Sequence, residues 1–211
     1  MARLLPVLIA LLVLAAVPAA HAIVRLPIDP QPVAHNPAER LVDEPIEESE
    51  YDGATRCLRT RRPGVDAMVS WLEVNARGQF WGSFRCELWG EGSASLHAEG
   101  RAIDWHLNVK NPADKAAAQK LIRLLLAPDS AGEPQALARR MGVQELIWDC
   151  GIWTAHPPNA GAEEFSDYRD CFGKDGVTPR KRVSATIAHR DHIHIGMTKA
   201  GAMGRTSFWR D

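Results

Sequence analysis

Two short stretches of the sequence carry side chains that commonly bind metal ions. The first contains His97 and Asp104, which are seven positions apart. The second lies much later in the chain, reads Asp-His-Ile-His and ends at His194. Neutral imidazole and carboxylate groups are usual zinc ligands, and a catalytic zinc site usually takes three of them plus a water molecule. Together the two stretches predict a mononuclear zinc site.

The local geometry of these stretches limits which side chains can reach one ion. Side chains alternate between the two faces of a strand, so His97 and Asp104 would face opposite sides of a straight one. Gly100 lies between them and can adopt backbone conformations that bend the chain. His192 and His194 are two residues apart and share a face in a strand, so either or both could contact the metal. The site therefore requires a bend at Gly100.

Apolar periodicity and helix caps predict the elements that position these stretches. An Asn-Pro-Ala-Asp sequence at 111–114 is typical of a helix start, and Gly142 of a helix end. The expected helices cover 65–76, 116–126 and 135–141, and the expected strands cover 80–89, 103–109, 143–148 and part of 184–197. Residues 154–182 are predicted to form a long loop. This order predicts an α+β fold, in which a small antiparallel or mixed sheet has helices packed on one side.

The beginning of the chain has the features of a signal peptide. Arg3 precedes an apolar run, and an Ala-His-Ala cleavage sequence ends at residue 22. We therefore expect residues 1–22 to be removed and the protein to be secreted into the periplasm or the extracellular space. Residues 23–50 are rich in Pro and acidic residues and predict an extended arm. Residues 51–211 are then the metal-binding domain, and no membrane span is expected in it.

Four cysteines follow the expected signal peptide, which is typical of an exported protein with two disulfides. Three pairings are possible. We favour Cys57–Cys86 with Cys150–Cys171, because each bond closes a modest loop and braces a segment that leads into one half of the metal site. A zinc site made of all four cysteines is the alternative, but the chain has no Cys-x2-Cys pair.

The overall charge argues against a nucleic-acid partner. The chain has 211 residues and a formal net charge of −1 at pH 7, so it has no strong basic field that would attract a polyanion. Its length suits one domain with a real core. We expect the protein to be a monomer.

The first stretch resembles the Ser-x-His-x-x-Gly-x-Ala-x-Asp signature of the zinc D,D-carboxypeptidases and D,D-dipeptidases of vancomycin resistance and of phage L-alanyl-D-glutamate endolysins. These enzymes share a fold with the Hedgehog signalling domain. The Asp-His-Ile-His stretch is similar to the ending found in the secreted and extensin-like branches of this superfamily. The resemblance implies that His97, Asp104 and His194 bind Zn²⁺. It also implies that Asp191, or alternatively His192, is the general base.

A third stretch, Trp-Gly-Ser-Phe-Arg-Cys at 81–86, resembles a Ser-Gly-Tyr-Arg sequence upstream in these peptidases, although the order of the neighbours differs. The resemblance implies that Arg85 stabilises a developing oxyanion or holds a substrate carboxylate. The implied activity is hydrolysis of amide bonds in peptidoglycan stem peptides, at D-Ala-D-Ala or another peptide crosslink. The alternatives are a non-hydrolytic, zinc-stabilised wall binder and a metal-dependent nuclease, although the sequence predicts no basic cleft for the nuclease.

Overall fold

The structure is a computed structural model. It describes residues 35–60, 62–155, 165–173, 175, 178–180 and 182–210. The predicted signal peptide, residues 23–34 of the predicted arm and part of the predicted 154–182 loop lie outside these residues.

The described residues form one six-stranded antiparallel sheet, a small hairpin and four α-helices. The strands are β1 (Gln79–Gly82), β2 (Leu88–Gly90), β3 (Ser93–Ala94), β4 (Ala102–His106), β5 (Val143–Trp148), β6 (Gly151–Thr154), β7 (Ser166–Asp167) and β8 (His192–Met197). The large sheet has the order β1-β4-β8-β5-β6-β7, and β2 pairs with β3. The predicted α+β fold is therefore confirmed.

The helices begin and end where the sequence has the appropriate residues. They are α1 (Pro63–Asn75), α2 (Pro112–Leu126), α3 (Ala136–Met141) and α4 (Lys199–Ala202). The Asn111 side chain accepts hydrogen bonds from two backbone N–H groups of the first turn of α2, as its position predicts. Gly142 ends α3 with φ of 73°, a left-handed conformation that glycine adopts at low cost.

The central strand, β8, has one apolar face and one polar face. Ile193 and Ile195 are fully buried in a core that they share with residues of α1, α2 and α3. His192 and His194 alternate with them and so lie on the other face. In the β4–β8 pairing, Asp104 is opposite His194, so the polar face brings together residues from both predicted metal-binding stretches.

The prediction of one continuous strand over residues 80–89 is wrong. The sheet strand β1 ends at Gly82, and β2 begins at Leu88 in the separate hairpin. Between them the Arg85 N–H donates to the His97 carbonyl at 3.3 Å, and Cys86 is disulfide-bonded to Cys57. These long-range bonds draw the segment away from the sheet edge.

The described part of the predicted arm lies against the domain. Pro37–Leu41 forms a short 3₁₀-helix, and Ala38 and Leu41 are buried in the main core. Further on, the Glu47 carboxylate accepts hydrogen bonds from the backbone N–H and hydroxyl of Ser207. Residues 35–50 are thus attached to the fold and do not project from it.

Both favoured disulfides are present, Cys57–Cys86 and Cys150–Cys171, with Cα–Cα distances of 5.4 and 5.7 Å. This pairing confirms the prediction of two disulfides. Within the described ranges, none of the helices has the length and apolar character needed to cross a membrane.

Candidate metal centre

Three side chains from distant parts of the sequence meet on the polar face of the sheet. His97, Asp104 and His194 are all buried, and their potential ligand atoms lie within 4.8 Å of one another. His97 Nε2 is 3.0 Å from Asp104 Oδ1 and 3.0 Å from His194 Nδ1. His194 Nδ1 is 3.6 Å from Asp104 Oδ1. This His/Asp/His group could hold a metal ion, and it consists of the three residues that the resemblance implies.

A tight turn brings His97 to the sheet. The residue lies in a 3₁₀-helix, Leu96–Glu99, whose first turn is capped because the Ser95 hydroxyl accepts from the His97 N–H at 3.3 Å. Gly100 ends this helix with φ of 64°, and its N–H donates to the His97 carbonyl. The chain then enters β4, which carries Asp104. The bend that the sequence requires at Gly100 is therefore present.

Unpaired polar atoms show that the group suits a cation. Asp104 Oδ1 is buried and has no hydrogen-bond partner among the described residues, although most buried carboxylate oxygens have one. Three imidazole nitrogens surround it, at 3.0 Å from His97, 3.4 Å from His192 and 3.6 Å from His194. A carboxylate oxygen with imidazole nitrogens around it is a donor set that zinc accepts.

In each of the three side chains, the polar atom that is not directed at the other two residues contacts a further group. His97 Nδ1 lies 3.3 Å from the Ser83 carbonyl oxygen. Arg85 Nη1 donates to Asp104 Oδ2 at 2.5 Å. His194 Nε2 lies 3.0 Å from Glu145 Oε1. Such contacts fix ligand orientation in metal sites.

The protonation states follow from burial and from the neighbouring charges. Burial lowers the pKa of His97, so its imidazole is neutral at pH 7. Burial also opposes protonation of His194, but the nearby carboxylates of Asp104 and Glu145 outweigh that cost and raise its pKa to about 9. Burial would raise the pKa of Asp104, yet His194 and His97 hold it far below its usual range. The group thus has one proton that a cation would displace.

The two candidates for the general base occupy different positions. His192 is buried on the same face of β8 as His194, and its Nε2 points toward Asp104. Its Nδ1 lies 2.7 Å from Asp191 Oδ1. The other oxygen of Asp191 accepts from the Thr186 hydroxyl at 2.8 Å. His192 therefore faces the His/Asp/His group, and Asp191 contacts His192.

His97 and His194 line a cleft of about 630 Å³. The cleft is also lined by the exposed side chains Leu88 and Trp89 of the β2–β3 hairpin, by Tyr168 and by the exposed Ile187. The Arg169 guanidinium lies 5.6 Å from the centre of the Trp89 ring. Arg85 also lines the cleft, and 52% of its side chain is exposed. A substrate could reach the His/Asp/His group from solvent.

Sequence reasoning missed several residues of this cleft. Glu145 is the acidic residue of β5, and its presence in an otherwise buried strand was the available signal. Tyr51, whose hydroxyl donates to Glu145 Oε2 at 2.9 Å, has no local signature. His189 is buried against the rings of His192 and His194. Burial and the nearby charges of those two residues lower its pKa to about 2, so it stays neutral.

The family described as VldE, C-terminal domain, matches residues 62–171, which is more than half of the 211 residues. The chain belongs to this family. The VldE C-terminal domain match includes His97, Asp104 and Glu145 and ends before β8, which carries His192 and His194. No curated protein and no solved structure matches the chain. The VldE C-terminal domain differs in description from the zinc D,D-peptidases that the motifs resemble, so that resemblance stays a prediction.

Proposed function

We propose that the chain is an exported zinc peptidase that hydrolyses amide bonds in peptidoglycan stem peptides. The observation that carries the proposal is the meeting of His97, Asp104 and His194 beside a cleft that His97 and His194 line. The resemblance of both motifs to zinc D,D-peptidases suggests the substrate class. The signal-peptide sequence and the two disulfides support export.

The proposed metal ligands are His97 through Nε2, Asp104 through Oδ1 and His194 through Nδ1. Three protein ligands leave a position for water or substrate, as in catalytic zinc sites. Zinc, when bound, would polarise a carbonyl group and lower the pKa of water to about 7. The cleft gives a peptide access to this position, and burial of the three ligands strengthens electrostatic interactions there.

His192 is the proposed proton-transfer residue. Its Nε2 is buried without a hydrogen-bond partner among the described residues, and it lies 3.4 Å from Asp104 Oδ1. Asp191 accepts from Nδ1–H and thereby leaves Nε2 free to take a proton from water and to give it to the leaving amine. Asp191 then orients His192 and stabilises its charged form, and Thr186 holds the Asp191 carboxylate. This pairing assigns separate roles to the two candidates.

Arg85 has two proposed roles. One nitrogen of the guanidinium binds Asp104 and holds that carboxylate in place. The side chain is about half exposed and lines the cleft. There its donors can stabilise negative charge on the reacting carbonyl oxygen or bind a substrate carboxylate, because a guanidinium presents several N–H groups in a fixed fork.

The test is incubation of purified, zinc-loaded protein with isolated peptidoglycan sacculi, with and without a chelator, followed by mass analysis of the released products. We expect about one zinc ion per chain and stem-peptide fragments that the chelator abolishes. His192→Ala should keep its zinc and lose about 10²–10⁴-fold in rate, because it lacks the group that transfers the proton. His35→Ala, an exposed histidine outside the cleft, is the control and should match the wild type.

Two outcomes would contradict the proposal. Absence of stoichiometric zinc from the wild type would remove the metal centre. Zinc binding with retention on sacculi, but with no released fragment, would replace the peptidase with a zinc-stabilised wall binder.

A further inference from the structure

Glu145 joins the metal centre to the beginning of the domain. One of its carboxylate oxygens, Oε1, lies 3.0 Å from His194 Nε2, and the other accepts from the Tyr51 hydroxyl at 2.9 Å. Its side chain is 13% exposed, so the carboxylate is largely removed from water. Both oxygens have a partner, and one partner is a proposed metal ligand.

Packing alone does not explain an acidic residue at this position. Leu146 and Ile147 follow it in β5 and are buried, as are the residues before it. A carboxylate in such surroundings is costly unless it is paired and hydrogen-bonded. An apolar side chain would satisfy the packing of β5 at this position. The contacts of Glu145 with His194 and Tyr51 therefore point to a role in the centre.

The chemistry of imidazole indicates that role. A neutral ring has one N–H group, and a carboxylate beside Nε2 favours the tautomer with the proton on Nε2. Nδ1 of His194 then keeps its lone pair, and Nδ1 is the atom that faces His97 and Asp104. His194 Nε2 has no hydrogen-bond partner among the described residues, but its 3.0 Å separation from Glu145 Oε1 is within hydrogen-bonding range.

We infer that Glu145 and Tyr51 are positioning residues that hold His194 in its metal-binding tautomer. Glu145 accepts Nε2–H, and Tyr51 fixes the orientation of the carboxylate. The inference rests on the metal centre of the proposed function, but it is independent of the peptide substrate. It extends the centre to residue 51, ahead of α1 and next to the predicted arm.

The position of Tyr51 is itself well determined. The backbone N–H of Asp52 donates to Gln144 Oε1 at 2.7 Å, and Gln144 Nε2 donates to the Asp52 carbonyl at 3.1 Å. Arg101 donates to the same carbonyl at 2.9 Å. Because Gln144 precedes Glu145 in β5, the strand that carries the carboxylate also anchors the residue next to its phenol partner.

The test measures zinc affinity by competition with a chromophoric chelator for the wild type, Glu145→Gln and Tyr51→Phe. We expect Glu145→Gln to weaken zinc binding by about 10–100-fold, the usual loss for a residue that orients a metal ligand. Tyr51→Phe should weaken it by a smaller factor. Long-range ¹H–¹⁵N spectra of the zinc form should show His194 protonated at Nε2 in the wild type. In Glu145→Gln this signal should shift or lose intensity.

Asp129→Asn is the matched control. Asp129 is also a buried carboxylate, but it lies in the loop between α2 and α3 and accepts from the backbone N–H groups of Ala131 and Glu133. Asp129→Asn should destabilise the fold and leave zinc affinity and the His194 signals close to those of the wild type. Equal losses of zinc affinity in Asp129→Asn and Glu145→Gln would show a general structural effect and overturn the inference.

Unchanged zinc affinity in Glu145→Gln would also overturn the inference, whatever the peptidase assay shows. Conversely, if zinc-loaded wild type releases nothing from sacculi but Glu145→Gln loses zinc affinity, the peptidase proposal fails and the positioning role stands.

Discussion

The two faces of β8 carry neighbouring residues with opposite physical roles. Ile193 and Ile195 are fully buried among apolar side chains of the helices. His192 and His194 are also buried, but His192 Nε2 and the adjacent Asp104 Oδ1 have no hydrogen-bond partner among the described residues. The apolar face is satisfied by packing alone, whereas the polar face has unpaired atoms that a cation or substrate could satisfy. Burial by itself therefore does not distinguish a core residue from a functional one.

The largest expected effect of a single substitution comes from the apolar face. Ile193→Ala should lower the free energy of unfolding by about 2–5 kcal/mol, because it removes buried methyl groups and leaves a cavity. His192→Ala, at the adjacent position, should cost about 1 kcal/mol, the usual net value of one hydrogen bond. Urea unfolding in the presence of a chelator measures both. Equal losses would contradict the distinction between the faces.

Zinc should stabilise the folded state through the ligands on the polar face of the sheet. At a free concentration 100 times its Kd, zinc should raise the free energy of unfolding by about 2.7 kcal/mol, because it binds the folded state. His97→Ala removes a proposed ligand and should abolish this gain. Ile193→Ala should keep it despite its lower starting stability. Thermal unfolding with and without zinc provides the comparison, and stabilisation of His97→Ala by zinc would place the ion elsewhere.

The pH dependence of zinc binding should come from His194. Its raised pKa of about 9 means that it holds a proton at pH 7 and loses it as pH rises through 9. The lowered pKa values of His97 and Asp104 leave neither with a proton to release at pH 7. Zinc affinity should therefore rise about tenfold, or 1.36 kcal/mol, from pH 7 to pH 8. Calorimetry in buffers of different ionisation enthalpy should show about one proton released per ion, and release of none would contradict this assignment.

The smallest effect is expected at the turn that joins the two ligands of the first stretch. Gly100→Ala places a side chain at φ of 64° and should lower the free energy of unfolding by about 1 kcal/mol. The added Cβ would lie 3.4 Å from the Thr60 carbonyl oxygen, which is a tolerable contact. Zinc affinity should fall with it, because the turn positions His97 relative to Asp104. Gly53→Ala, where the space around the new Cβ is open, is the control for both measurements.

The sequence alone determined the features that depend on local pattern. The caps of α2 and α3, the bend at Gly100 and the His/Ile alternation of β8 follow from residue types at fixed spacing. The disulfide pairing was also predictable, because each bond joins cysteines at moderate separation. The motif resemblance supplied the three residues that meet at the candidate centre.

Only the tertiary structure decided which other groups contact that centre. The pairing of β5 with β8 places Ile147 opposite His194 and brings Glu145 to the same face. The position of Tyr51 beside Glu145 depends on contacts across more than ninety residues. The interruption of the strand predicted at 80–89 likewise depends on bonds to distant residues. Local sequence patterns specify backbone conformation and side-chain alternation, but strand register and loop contacts are set by the energy of packing the whole chain.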